Sequence, residues 1–224
     1  MKKILIIITL MAIPFNVGKA LEAQATTLGY ADVVLAYSNS GTGDMPVAYG
    51  GTWDGTTGTY PVEVDLDVVV GDDPGYPGAM ADFLSLPTGS FVILGFTDET
   101  VINGIGDDIF ITEVGANSER AEVLVSSDGT SFTSLGIVND DVTTALDLED
   151  FSFFEPVTAI KIVGLDLLGG SKGFDLINVG VYPGSIGPTP IPSTHNPEPG
   201  TMLLLGTGLV GVAGAARRRK KNKA

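Results

Sequence analysis

The chain has 224 residues and a formal net charge of −15, which is distributed unevenly along it. Residues 26–196 contain 25 acidic and only three basic side chains, a balance near −22. A body of this charge repels nucleic acid and anionic lipid surfaces, which excludes both as partners of the central region. The lack of cysteine excludes disulfides, thiolate metal sites and cysteine nucleophiles.

The first 25 residues have the pattern of a secretory signal peptide. A positively charged start, MKK, precedes the apolar run ILIIITLMAIPF and the small-residue sequence AQA. This order of segments predicts export, with cleavage after Ala25 and Ala20 as the alternative position. An uncleaved membrane anchor is the other interpretation, but Pro14 and the shortness of the apolar run disfavour it.

A glycine- and threonine-rich segment, YGGTWDGTTGTY, contains three aromatic residues at Tyr49, Trp53 and Tyr60. Aromatic rings exposed on such a loop would form a stacking platform for a polysaccharide. Trp53 is the only tryptophan of the chain, and a core position near the end of a strand is the competing interpretation. The three residues are therefore candidates for carbohydrate binding.

Residues 26–182 are rich in short β-branched and aromatic runs separated by Gly, Asp, Asn and Pro, which predicts an all-β domain. In the segment 62–70 the acidic Glu63, Asp65 and Asp67 alternate with apolar residues, as in a strand with one wet face. A short helix fits the segment 81–86. The number and spacing of the runs predict a jelly-roll-like β-sandwich. The predicted strands cover 30–37, 62–70, 90–97, 109–114, 121–126, 159–165 and 174–182.

The dipeptide Asp128-Gly129 lies between two of these runs and predicts a β-hairpin, with the Asp128 side chain serving the turn. Together with GIGDDIFITEVG before it and GFDLINVGVY after it, this hairpin resembles a pattern of discoidin-like, galactose-binding-type β-sandwiches of bacterial surface proteins. The resemblance spans residues 103–182 and implies a sandwich fold. It does not specify a ligand, because that architecture hosts many functions.

The same resemblance implies a structural cation between an early loop and the last strand. It nominates Asp107, Asp108, Glu113 and Asp175 as ligands of Ca²⁺, which prefers clustered carboxylate and carbonyl oxygens. The spacing differs from an EF-hand loop, so such a site would be discontinuous. The competing interpretation is that Asp107 and Asp108 form a turn and Asp175 caps a strand end.

The C-terminal part begins with a proline-rich segment, predicted as an extended linker over residues 183–196. Residues 201–216 are uncharged and apolar, and a cluster of Arg and Lys follows them. This run is slightly short of the roughly 20 residues of a stable membrane span. It predicts a transient anchor in the inner membrane, with the cationic tip cytoplasmic and the central domain outside.

The order of Pro197-Glu198-Pro199, a short apolar helix and an arginine-rich tip resembles the PEP-CTERM sorting signal of exopolysaccharide-producing Gram-negative bacteria. We assign it to residues 197–224. The resemblance implies processing by an exosortase, a membrane protease, and delivery to the cell surface or extracellular matrix. A plain tail anchor is the competing interpretation.

Catalysis is not expected. The single histidine, His195, lies in the proline-rich linker, which excludes a Ser-His-Asp triad and a histidine-based zinc site in the domain. We therefore expect a non-catalytic matrix protein whose β-sandwich associates with exopolysaccharide, with Ca²⁺ as a candidate stabiliser. The alternatives are a structural matrix protein without a specific ligand and a secreted carbohydrate-active enzyme, for which two carboxylates would suffice.

Overall fold

The computed structural model describes residues 29–188, apart from 73–74, 116–117 and 140–141. The predicted signal peptide, the rest of the linker and the sorting signal lie outside the described residues. The strands are β1 Val33–Ser38, β2 Tyr49–Trp53, β3 Gly58–Glu63, β4 Ala81–Leu86, β5 Phe91–Gly95, β6 Thr100–Val101, β7 Ile109–Glu113, β8 Arg120–Ser126, β9 Thr133–Asn139, β10 Thr143–Leu146, β11 Ala159–Gly164, β12 Phe174–Val181 and β13 Ile186–Gly187. Short 3₁₀ turns form at Leu66–Val69, Glu149–Phe151 and Pro183–Ser185.

Two antiparallel sheets face each other. The smaller sheet has the strand order β1-β5-β11-β8-β9, and the larger has the order β10-β7-β12-β4-β2-β3. A separate pair, β6 with β13, lies beside them. Successive strands repeatedly cross from one sheet to the other, as in a jelly roll. The predicted all-β sandwich is thus confirmed.

The main core lies between the sheets and follows the period of two expected for strands. On β11, Ile160 and Ile162 are buried in this core, whereas Lys161 and Val163 are only half-buried on the opposite face. Of the described helices, none is long and apolar enough to span a membrane.

The middle of the larger sheet is covered on both faces. Leu84 and Leu86 of β4 point into the main core, while Phe83 belongs to a second, smaller apolar cluster on the outer face. On β12, Leu176 and Ile177 divide between the same two clusters. A register irregularity between Leu176 and Asn178 then returns Val179 to the main core.

The prediction of a single strand over 62–70 is wrong. Strand β3 ends at Glu63, and the chain turns through the 3₁₀ segment Leu66–Val69. The acidic Asp65 and Asp67 are exposed as expected, but the turn directs Val69 into the main core. Val68 and Val70, on either side of it, are partly buried against the same core.

The helix predicted over 81–86 is also wrong, because this segment is strand β4 between β12 and β2. Its sequence ADFLSL has no consistently polar face, since apolar residues occur on both sides of the strand. A strand buried on both sides and a short helix therefore give the same apolar pattern, and only the pairing with β2 and β12 distinguishes them.

The boundary predicted at residue 182 is wrong, because residues 183–188 belong to the domain. Ile186 and Gly187 form β13 against β6. The buried Ser185 donates its hydroxyl hydrogen to the buried carboxylate of Asp108. The proline content of this segment predicted an extended chain, whereas its hydrogen bonds are made with residues about 80 positions earlier in the chain.

Candidate functional site

A pocket of about 160 Å³ opens on the outer face of the larger sheet. It combines Trp53 from β2, Tyr60 from β3, Phe83 from β4 and Asp175 from β12, so neighbouring strands of one sheet supply the main groups. Three residues from connecting segments complete the wall: Val114, Gly115 and Gly170. The structure thus brings two of the three predicted aromatic residues together with a carboxylate.

The aromatic wall is built by the β2–β3 hairpin. Trp53 and Tyr60 pack edge to face, with ring centroids 5.6 Å apart and an interplanar angle of 76°. Tyr60 also lies 6.1 Å from Phe83, centroid to centroid, and remains 40% exposed. Trp53 is half-buried against the outer apolar cluster, so it is intermediate between the two interpretations offered by the sequence.

The hairpin turn next to Trp53 is closed by Asp54. Its Oδ1 accepts hydrogen bonds from the backbone N–H groups of Thr56 and Thr57 at 2.7 and 2.6 Å. These bonds to the ionised form lower the pKa of Asp54 from its ordinary value. The turn thereby fixes the spacing of the two strands that carry Trp53 and Tyr60.

The opposite rim of the pocket is the loop between β11 and β12, where glycine allows a close approach. A Cβ atom at Gly170 would lie 2.6 Å from a ring carbon of Tyr60. Gly169 has φ of +84°, and a Cβ there would overlap the carboxylate of Glu119. The loop therefore lies against both the tyrosine ring and a buried acid.

Asp175 is the polar group of the pocket and is 4% exposed. Its Oδ1 accepts the hydroxyl hydrogen of Ser85, and Ser85 Oγ lies 2.7 Å from Ser171 Oγ, which is then the donor to it. Burial raises the pKa of Asp175 well above its ordinary value, and the neighbouring charge of Glu119 raises it further. This carboxyl group is positioned to exchange hydrogen bonds with a polar ligand.

The prediction that Tyr49 belongs to an exposed aromatic platform is wrong. Its ring is fully buried, and its hydroxyl donates a hydrogen bond of 2.5 Å to the carbonyl oxygen of Lys172. Burial raises its pKa to about 12. Tyr49 holds the β11–β12 loop from below, so it supports the rim of the pocket without facing it.

The four predicted calcium ligands do not converge. Asp107 and Asp108 precede β7, whereas Glu113 ends it, and five residues of strand separate the two groups by roughly 16 Å. Among the described residues, no group of three or more acidic or histidine side chains is placed to hold a metal ion. Glu113 and Asp175 do lie on neighbouring strands, with Val114 N donating to Asp175 O at 3.0 Å.

Asp108 and Asp107 have different surroundings. The buried Asp108 carboxylate accepts hydrogen bonds from Gly104 N and Leu148 N at 2.7 and 2.8 Å, and from Ser185 Oγ. The Asp108 carboxylate thus links its own loop to two distant segments, and its oxygens are used in structural hydrogen bonds. Asp107 is exposed. The alternative interpretation, in which this pair belongs to a turn, describes the loop better than metal binding does.

Sequence reasoning missed four residues that line the pocket, namely Phe83, Val114, Gly115 and Gly170, and also Glu119, whose charge acts on Asp175. Treating 81–86 as a strand would have placed Phe83 on the outer face together with Ser85. Glu119 gave no local signal, because its effect on Asp175 arises from tertiary packing. The Gly-Gly pair at 169–170 marked a loop, but not its contact with Tyr60.

Residues 197–220 match the family described as the PEP-CTERM protein-sorting motif. The chain carries a PEP-CTERM sorting signal. The match begins at Pro197, the first residue of the predicted tripeptide Pro197-Glu198-Pro199, and confirms the assignment made from the sequence. The motif implies export and a membrane-associated sorting step. No curated protein matches the chain in sequence.

Several solved structures are similar to the domain. The C-terminal domain of a chitobiase from Bacteroides fragilis is 18% identical, over 45% of this chain and 66% of that one, with a TM-score of 0.33. A pectin-binding carbohydrate-binding module is 16% identical over 48% of this chain and 76% of its own, with a TM-score of 0.34. The family 32 carbohydrate-binding module of AlyQ, solved with 4,5-unsaturated mannuronic acid, is 10% identical over 68% and 97%, with a TM-score of 0.39. This likeness concerns the fold alone.

Proposed function

We propose that the exported domain is a non-catalytic saccharide-binding module, which holds a sugar residue of an extracellular polysaccharide in the pocket on its larger sheet. The observation that carries the proposal is the convergence of Trp53, Tyr60 and Asp175 around one opening. The aromatic rings offer apolar faces to the C–H groups of a sugar ring, and the carboxyl group offers hydrogen bonds to its hydroxyls.

The size of the pocket limits the ligand. Its volume of about 160 Å³ is smaller than the roughly 300–1,000 Å³ of sites that enclose drug-sized ligands. A single sugar residue, either at a chain end or as a branch, is the unit that this volume suits. The rest of the polysaccharide would remain outside, over the half-exposed Tyr60.

Trp53 provides both the test and its reporter, because it is the only tryptophan of the chain. We expect its fluorescence to change on titration with a saccharide that enters the pocket. Calorimetric titration of the same ligand should show Trp53→Ala binding about tenfold more weakly or not at all. Phe154→Ala is the matched control, since Phe154 is 67% exposed and lies outside the pocket.

The same panel separates the other functions. If neither the Trp53 fluorescence nor the heat of titration changes with neutral, basic or acidic polysaccharides, the proposal is contradicted. A structural matrix protein without a ligand is then favoured. Release of shortened saccharides from native matrix polysaccharide would instead favour an enzyme. The raised pKa of the buried Asp175 is the observation that keeps the enzyme among the alternatives.

The sorting signal supports a surface or matrix location for this module. An exosortase would process the tail near Pro197-Glu198-Pro199 after residues 201–216 have held the protein transiently in the inner membrane. Cell fractionation tests this proposal: the full chain should reach the surface or matrix fraction, and a chain lacking residues 197–224 should not be retained there. Equal retention of both would contradict it.

Calcium binding stays a prediction. Glu113 and Asp175 are the two nominated residues that lie on neighbouring strands, and thermal unfolding in Ca²⁺ and then in excess EGTA tests them. A Tm that rises with Ca²⁺ and falls again with EGTA would support the prediction. A Tm that Ca²⁺ leaves unchanged would contradict it.

A further inference from the structure

The rim loop, residues 165–173 between β11 and β12, meets the pocket at a glycine. Gly170 lines the opening, and a Cβ atom at this position would lie 2.6 Å from a ring carbon of Tyr60. Carbon atoms in contact lie roughly 3.5–4.0 Å apart, so any side chain at position 170 would require a shift of about 1 Å. Either the loop or the tyrosine ring would have to make that shift.

The two residues that follow this glycine fix the rim loop in place. Ser171 is fully buried, and its Oγ lies 2.7 Å from Ser85 Oγ on β4. Lys172 donates its backbone N–H to the carboxylate of Asp44 at 2.9 Å, and its carbonyl oxygen accepts the hydrogen bond of 2.5 Å from Tyr49. The loop therefore cannot retreat from the pocket without breaking these hydrogen bonds.

The tyrosine ring is the part that can move. Tyr60 lies on β3, the edge strand of the larger sheet, and is 40% exposed. Its aromatic partners in the pocket are Trp53 and Phe83, with ring centroids 5.6 and 6.1 Å away. An atom added at Gly170 would therefore push the Tyr60 ring out of its present contacts with these two rings.

We propose that Gly170 positions the Tyr60 ring: the absence of a side chain at this point lets the ring close against the rim loop and complete the aromatic wall that a saccharide contacts. The inference rests on the proposed saccharide function and adds to its site a residue that acts through Tyr60. Contact between a sugar and an aromatic ring depends steeply on distance, so a wall displaced by about 1 Å loses much of that contact. The fixed loop and the glycine together preorganise the pocket.

Gly170 differs from its neighbour Gly169, whose role is structural. Gly169 has φ of +84°, and a Cβ there would overlap the buried carboxylate of Glu119. Gly170 is outside the left-handed region, and the atom that its Cβ would meet belongs to the end of an exposed side chain. Gly170→Ala should therefore keep Tm within about 2 °C of the unmodified protein, whereas Gly169→Ala should lower it by about 4 °C or more.

Trp53 reports the position of Tyr60 without any ligand, because it is the only tryptophan and contacts that ring. Gly170→Ala should move the Trp53 emission to longer wavelength and increase its quenching by acrylamide, since a displaced Tyr60 ring leaves the indole more exposed. Gly184→Ala is the matched control: it makes the same substitution at an exposed glycine outside the pocket, where an added carbon meets no atom within 4 Å. It should leave both signals unchanged.

A double-mutant cycle shows whether Gly170 acts through Tyr60. In a Tyr60→Ala background, adding Gly170→Ala should change neither Trp53 signal, because the ring that the new methyl group would displace is gone. Binding is measured by calorimetry with methyl glycosides of glucose, galactose, mannose and galacturonic acid. A glycoside that binds the unmodified protein should bind Gly170→Ala about tenfold more weakly and Gly184→Ala equally well.

An unchanged Trp53 signal in Gly170→Ala, or an effect that persists in the Tyr60→Ala background, would overturn the inference and leave the saccharide function standing. Unchanged binding by Gly170→Ala would do the same. A loss of Tm as large as that of Gly169→Ala would also overturn it, because Gly170 would then be required for the fold. If neither these glycosides nor the polysaccharides named above bind, the saccharide function fails, and the fluorescence cycle still decides whether Gly170 positions Tyr60.

Discussion

The carboxyl groups of Asp128 and Glu99 differ in exposure, in hydrogen-bond partners and in the direction in which their pKa is shifted. Asp128 is exposed, and its Oδ1 accepts hydrogen bonds from the backbone N–H groups of Thr130 and Ser131, both at 2.7 Å. These bonds lower its pKa from the ordinary value. The Asp-Gly pair predicted this role in the sequence, because the partners are only two and three residues away.

Glu99 is 1% exposed, and its Oε1 accepts a hydrogen bond of 2.7 Å from the backbone of Gly29. Burial raises its pKa to about 7, and the neighbouring Asp98 and Asp32 add to the effect. The partner Gly29 is 70 positions away in the chain. Local sequence therefore could not predict this environment, nor the related one of Asp175.

The raised pKa of Glu99 makes stability depend on pH. Between its unfolded value near 4.5 and about 7, the folded state binds more protons than the unfolded state, so the free energy of unfolding falls as pH rises through this range. We expect Tm to decrease between pH 5 and pH 8, and Glu99→Gln to reduce that decrease. Differential scanning calorimetry at several pH values measures both.

Glu63→Gln is the control for this experiment, since Glu63 is exposed at the end of β3. Its variant should follow the pH profile of the unmodified protein. A Glu99→Gln profile that is parallel to the unmodified one would show that Glu99 is already ionised at no cost in the folded state.

Some strands show a clear alternation of buried and exposed residues in their sequence, and others do not. On β8, buried Ala121, Val123 and Val125 alternate with less buried residues, so the period of two is visible in the sequence. Strands β4 and β12 lie in the middle of the larger sheet and are covered on both faces, which removes that alternation. The sandwich could thus be predicted from its half-exposed strands. Of the pocket, the hairpin residues Trp53 and Tyr60 could be predicted as candidates, whereas Phe83 on the central strand β4 and its position beside Asp175 could not.

The central position of β12 sets a stability prediction. Leu176 is fully buried between the sheets, so Leu176→Ala should lower the free energy of unfolding by about 2–5 kcal/mol, by lost burial and by the cavity left behind. Leu35→Ala, at a 54% exposed position on the edge strand β1, should change it by less than about 1 kcal/mol. Urea denaturation measures both, and equal losses would contradict the assigned core.

For the whole molecule, repulsion between like charges is the main long-range interaction that affects the stability of the fold. The balance near −22 over residues 26–196 means that the folded domain repels itself, because compaction brings these charges together. We expect Tm to rise as NaCl increases from about 10 to about 200 mM, where the Debye length falls from roughly 30 Å to below 10 Å. A Tm that falls over this range would show that ion pairs, and not repulsion, dominate.

Glycerol at matched osmolality controls for effects of solute other than screening. The sign of this charge could be predicted from composition alone. The pairing of individual charges required the structure, because only the fold brings Lys172, from the loop between β11 and β12, beside Asp44.

Both ends of the described chain leave the sandwich at one place. Glu99 holds Gly29, and the next residue, Thr100, donates a hydrogen bond of 2.9 Å to the carbonyl oxygen of Pro188. Strand β12 runs from Asp175 at the pocket to Val181, which bonds to Gly29 and lies roughly 20 Å further along the strand. A domain tethered through its C-terminal extension would therefore present its opening on the side remote from the tether, where a passing polymer strand could reach it without obstruction.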